Sequence, residues 1–218
     1  MKTKLNKSLL FIFCLTALYS CNSDELSTNG TLSGSLTDYN TGSIDSIKGY
    51  CLTELIGKAA INSVGKFSVT LSIPSGSEIG KIDSLKLSDT TAVVSSINLY
   101  AYKKGVYVGE IIKCNYTHSD TVAYKTGDAY VLFIHSDKTC RIIGSNTIVS
   151  NKTDSTTTSY DLKFNEGWNE MVCKVDKFKK DTVRTVESIS YSSIIPTDLK
   201  WRCIKNPQTI QKFKFSHK

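Results

Sequence analysis

Along most of this chain apolar and polar residues alternate in short runs with a period of two, as expected for strands that bury one face. The clearest run is residues 65–74. Phe67, Val69, Leu71 and Ile73 alternate there with Lys66, Ser68, Thr70 and Ser72, and Pro74 ends the run because it cannot donate to a ladder. Before it, Leu32 and Leu36 share one side of a first strand, Ile44, Ile47 and Tyr50-Cys51-Leu52 open a second, and residues 56–61 make a third. After it, residues 93–102 set Ile97, Leu99 and Ala101 against Asn98, Tyr100 and Tyr102. Lys103-Lys104-Gly105 then turns the chain into residues 106–114, a hairpin joining two halves. Residues 129–135 are apolar on both faces, which predicts a central strand with a layer on each side. Strand-like runs continue at 140–148, 159–164, 168–175, 183–190 and 199–204, and Lys212-Phe213-Lys214-Phe215 predicts a last edge strand with its lysines outward. Only residues 77–87 offer a helical turn or two. The expectation is an all-β chain built as one or two β-sandwich units.

Residues 1–20 break this pattern. Lys2, Lys4 and Lys7 precede an apolar stretch, residues 9–18, that is shorter than the roughly 20 residues a membrane helix needs and reads as a signal peptide. Leu18-Tyr19-Ser20-Cys21 closes the stretch and resembles a bacterial lipobox, in which the leader is cut before the cysteine and Cys21 is acylated. More than one acyl chain anchors stably where a single chain binds marginally. The division that follows is a leader at 1–20, a polar, flexible tether at 21–29, a first unit at 30–103 and a second at 104–218. Asp24 and Glu25 stand where surface-exported lipoproteins of the Bacteroidota type carry acidic residues. That resemblance implies a membrane partner through the N-terminal lipid, and a place at the outer membrane, either surface-exposed or facing the periplasm.

Composition narrows the partners. The leader removes three of the 27 basic residues, leaving 24 against 20 acidic ones. That mild excess lacks the concentrated basic stripe of a nucleic-acid binder. The cluster Lys174, Lys177, Lys179, Lys180 and Arg184 is interrupted by Asp176 and Asp181 and reads as a solvated hairpin end. Cys14 leaves with the leader and Cys21 with the lipid. Five thiols remain, Cys51, Cys114, Cys140, Cys173 and Cys203, either as buried small apolar groups or with one or two disulfides among them.

Two further resemblances follow from the quoted runs. The stretch from Gly34 to Pro74, with Gly65, Phe67, Val69 and Leu71 in its last strand, resembles transthyretin-like, carboxypeptidase-regulatory-like domains, which implies an Ig/transthyretin-like sandwich of structural or adhesive use. The run YVLFIHSDKTCRIIG, followed by Leu162 to Asn169 with its Gly167-Trp168-Asn169 step, resembles envelope lipoproteins of Bacteroidota. Physically, Gly167 permits a tight turn and Trp168 offers a large apolar anchor.

Several groupings could carry chemistry. Asp38, Asn40 and Gly42 suggest the start of a calcium loop, but Gly49 stands where a bidentate Glu is required, so a plain turn is expected. Cys114, His118, His135 and Cys140 have irregular spacing for a zinc site. Glu166 and Glu170 bracket the Gly-Trp-Asn step and could serve a glycoside hydrolase if their separation suited it. No metal ligand set, catalytic motif or cofactor is therefore assigned. Asp followed by Ser/Thr and an aliphatic residue or Thr recurs six times, more than composition gives, and resembles the O-glycosylation sequon of exported Bacteroidota proteins. Its acceptors would be Ser46, Ser84, Thr90, Thr121, Ser155 and Thr182. The same triplets would also arise from Asp in turns leading into strands. The expected role is a lipid-anchored protein with a structural, adhesive or ligand-binding function and a surface protein or glycan as partner. One alternative is a glycan-binding accessory lipoprotein of an outer-membrane uptake system, using exposed aromatics such as Trp201 or several of the eleven tyrosines. A second is an envelope hydrolase with a cleft around Glu166, Glu170 or a histidine.

Overall fold

The computed structural model describes residues 26–27, 29–75, 86–89, 91–117, 124–150, 154–180 and 185–205. Among them every regular element is a strand, and the fold is all-β with two sheets arranged as a β-sandwich. The small sheet pairs β1 (Thr31–Ser35) antiparallel with β4 (Lys66–Thr70). Leu32, Phe67 and Val69 point inward from it, as their alternation predicts. Ile73 departs from that pattern and is 70% exposed, because the regular ladder ends at Thr70.

The large sheet begins with β3 (Glu54–Ala60), β2 (Ser46–Cys51), β6 (Val94–Lys103) and β7 (Val106–Cys114), with β13 (Lys200–Ile204) on the far side of β7. The β6–β7 turn is the expected one. Lys104 and Gly105 adopt φ of 48° and 81°, the paired left-handed conformations of a two-residue hairpin. The N-terminal part of β6 instead pairs with β8 (Ala129–Ser136), from Val94↔Ser136 to Ile97↔Phe133. The sheet then continues through β11 (Gly167–Lys180), β12 (Thr185–Ser192), β10 (Asp154–Phe164) and β9 (Cys140–Ser150). It ends at the two-residue β5 (Lys86–Leu87), where a helical turn was expected; the rest of that stretch, residues 77–85, lies outside the described residues.

Strands β8 and β11 act as a common wall. Ala129, Val131, Phe133 and Val172 face a first core with Leu32, Ile47, Val69, Leu99 and Trp201. Ile134, Met171, Cys173 and Val175 face a second core with Ile142, Leu162, Phe164 and Ile189. The two-sided apolar character of residues 129–135 is thus met by a core on each side. The 103/104 boundary falls in the β6–β7 turn, inside one sheet, and β7, β8, β11 and β13 all contribute to the first core.

Two tryptophans lock the small sheet onto the large one. A Cβ on Gly34 would lie 2.4 Å from Trp201 Nε1, and one on Gly30 would lie 2.4 Å from Trp168 Nε1. β1 and the residue just before it therefore present two notches that only glycine leaves open. Trp201 stacks on Phe133 at 5.4 Å and 7° and meets Phe67 edge-to-face at 5.1 Å. Among the described residues its buried indole N–H has no acceptor, a cost of about 1–3 kcal/mol. Burying the ring returns about 4–6 kcal/mol, so packing decides its position. Leu26 bridges Leu32 and packs on the same core, and Ser27 Oγ accepts from Thr31 N at 3.0 Å. The fold thus reaches into the stretch expected to be a flexible tether.

Candidate binding surface

In β2, β6 and β7 the inward positions are taken by Ile47, Ile97, Leu99, Ala101 and Ile111, so their neighbours must face outward. The register brings those neighbours together. Lys48 lies opposite Tyr100, Ser46 opposite Tyr102, Tyr100 opposite Glu110, and Tyr102 opposite Tyr107 across an irregularity in the ladder. Tyr50 pairs with Asn98 on one side and Leu55 on the other.

The result is a cluster of four tyrosines. Tyr50 and Tyr100 have ring centroids 5.8 Å apart, Tyr100 and Tyr107 are 5.9 Å apart, and Tyr102 and Tyr107 are 6.3 Å apart. The rings are tilted at 56°, 67° and 76°, the edge-to-face geometry aromatic quadrupoles favour. Lys48 Nζ sits 4.1 Å from the Tyr102 ring centroid, in cation–π range. Burial is the main cause raising the pKa of Tyr100, Tyr102 and Tyr107, supplemented by Glu110 at Tyr100 and Tyr107 and by a hydrogen bond with Tyr50 at Tyr102. All three stay neutral phenols that can donate and accept.

The rim is apolar at one end. Leu55 is 50% exposed beside Tyr50, and Leu52 at the β2–β3 tip is 56% exposed with φ of 54°. The left-handed backbone serves the two-residue β2–β3 turn between Cys51 and Glu54, but a leucine costs more there than glycine or asparagine would and gains no burial. Strain of this kind gathers at contact sites.

Other expected groups are dispersed. Trp201, considered as an exposed stacking residue, is 1% exposed in the first core. Asp38 accepts from Arg202 Nη1 at 2.8 Å, and Gly42 and Asn40 form an ordinary turn. Cys114 and Cys140 belong to different apolar clusters, while His135 stacks edge-on against Trp168 at 4.9 Å. No group of three or more His, Cys, Asp or Glu gathers among the described residues. Glu170 reaches Lys113 Nζ at 3.8 Å, whereas Glu166 is exposed in the turn before β11. The half-buried carboxylate with a raised pKa is instead Glu187 on β12, where burial outweighs the Thr156 hydroxyl. No motif marked it.

All five described cysteines are free thiols. Burial pushes Cys173 up to about 12 and Cys114 to about 11, beyond the reach of nucleophilic chemistry at neutral pH. Of the six Asp-Ser/Thr acceptors, Ser46 and Ser155 are half-buried strand residues. Their preceding carboxylates pin backbone, Asp45 accepting from Lys104 N and Asp154 from Thr185 N. Cys21, Ser84, Thr90, Thr121, Thr182, His118 and residues 212–215 lie outside the described residues. No described helix is long and apolar enough to cross a membrane. Compared with known proteins, the chain matches no family model, no curated protein and no solved structure.

Proposed function

We propose that this chain is a lipid-anchored envelope protein with an adhesive or ligand-binding role, held at the outer membrane through Cys21 and contacting its partner through the tyrosine face. The observation that carries the binding role is the gathering of Tyr50, Tyr100, Tyr102 and Tyr107 beside exposed Leu52 and Leu55. Tyrosine supplies contact area at low entropic cost and is enriched where binding energy concentrates. Such a face needs no catalytic group.

The glycan-binding reading is favoured by Lys48 over Tyr102 and by the neutral phenols, whereas rings tilted by 56–76° weigh against a flat stacking platform. Paired Tyr100→Ser and Tyr107→Ser substitutions should abolish attachment of purified protein to whole cells or a glycan array, with the melting temperature lowered by the lost ring packing but the protein still folded by circular dichroism at the assay temperature. Unaltered attachment would sink the tyrosine face as the contact surface. Signal confined to the array would assign the glycan reading. Anchoring is tested separately, by labelling with a palmitate analogue that Cys21→Ala should abolish, and by protease shaving of intact cells. Intact-mass measurement of the native protein tests O-glycosylation of the six acceptors.

A further inference from the structure

A second site lies on the opposite half of the molecule. A cleft of about 530 Å³ opens on the outer face where β9 and β10 meet the end of β12. Arg141 and Lys163 are direct cross-strand partners in the β9–β10 ladder, so their side chains share that face. Like charges placed directly opposite destabilise a sheet. Asp161, two residues before Lys163 on the same face, accepts from Arg141 Nη2 at 3.1 Å and offsets one of the two. Among the described residues the Lys163 ammonium makes no ion pair. The cleft thus keeps one uncompensated cation beside an Arg fork with donors to spare.

Its walls add oriented donors. Ser88 Oγ accepts from Arg141 N at 2.9 Å, and Ser192 Oγ accepts from Ile194 N at 3.0 Å. Thr139 Oγ1 accepts from Glu166 N at 3.3 Å. Backbone N–H groups occupy the acceptor side of each hydroxyl, which leaves its O–H to donate. Ser193 both accepts from Lys163 N and donates to Lys163 O, fixing the wall to the floor. The cleft is hydroxyl-lined and rich in donors, and its lining side chains carry two cations, Arg141 and Lys163, against one anion, Asp161.

We propose that it binds a saccharide bearing a carboxylate, the acid group lying between Arg141 and Lys163, with Asp161 accepting from sugar hydroxyls. The volume suits one or two sugar rings, and the claim stands apart from the reading of the tyrosine face. Ligand-observed NMR with the detergent-solubilised full chain tests it, using glucuronate, glucose and acetate as probes. Glucuronate should give saturation transfer, and glucose and acetate should give far less. Lys163→Met and Arg141→Ala should each weaken glucuronate about tenfold, and Lys163→Arg should restore it, with melting curves confirming that each variant is folded. Equal responses to glucuronate and acetate, equal responses to glucuronate and glucose, no response to glucuronate, or binding indifferent to Lys163→Met would each overturn the assignment.

Discussion

At the scale of single residues, the notch at Gly34 does more than any exposed group to fix how the two sheets meet. A methyl there would press on Trp201, which is itself held between Phe133 and Phe67 and has nowhere to retreat. Gly34→Ala should cost about 1–3 kcal/mol, read as a lower urea midpoint, with Gly105→Ala, which meets nothing within 4 Å but has φ of 81°, as a turn-strain control. His135 gives a pH dependence of known sign. Burial against Trp168 outweighs Asp137 and holds its pKa below 6.5, so the fold prefers the neutral ring. Its contribution is present above the unfolded value and is lost as pH falls through the lowered one. Urea midpoints measured near neutrality and at mildly acidic pH should therefore fall less in His135→Phe than in the native protein. An identical fall in both would show that the ring is not the sensor.

At the scale of elements, the β2–β3 hairpin carries a measurable strain. Leu52 at φ 54° bears the roughly 1–2 kcal/mol left-handed cost that asparagine largely escapes. Leu52→Asn should stabilise the protein by up to about 1 kcal/mol in chemical denaturation while weakening partner attachment, the opposed changes expected of strain kept for contact. Elements were also where the sequence was most legible. The alternation of Phe67, Val69 and Leu71, the two-sided run at 129–135 and the Lys103-Lys104-Gly105 turn all report local geometry, which is written in neighbouring residues. The outward turn of Asn98, Tyr100 and Tyr102 was legible for the same reason. That Tyr50 and Tyr107 join them, that Trp201 enters Gly34, and that Arg141 opposes Lys163 were not. Each depends on which strands become neighbours, and a period-two pattern is silent on strand order. The exposed Ile73 marks where ladder pairing stopped earlier than side-chain alternation did, and β5 is a strand pairing where only a helical turn was legible.

At the scale of the whole molecule, the wall made by β8 and β11 ties two cores into one cooperative body. Phe133 and Ile134 are adjacent in sequence yet serve different cores, so neither core can melt without stripping a face from the other. Leu32→Ala in the first core and Leu162→Ala in the second, both fully buried, should each cost about 2–5 kcal/mol. Each should lower one calorimetric transition whose van't Hoff and calorimetric enthalpies agree. Two separated transitions in either variant would mean that the wall does not couple the halves.

The seating of Trp201 also has a consequence in time. The first core begins with Leu26 and Leu32 but takes in Trp201 of β13, so it stays unfinished while nearly all of the described chain is being synthesised. The early strands of that core lack one packing partner until β13 follows them. Until β13 arrives, the first core lacks Trp201 and stays open on that side. A chain arrested before Lys200 should be digested rapidly by protease, and release of the next few residues should switch it abruptly to resistance.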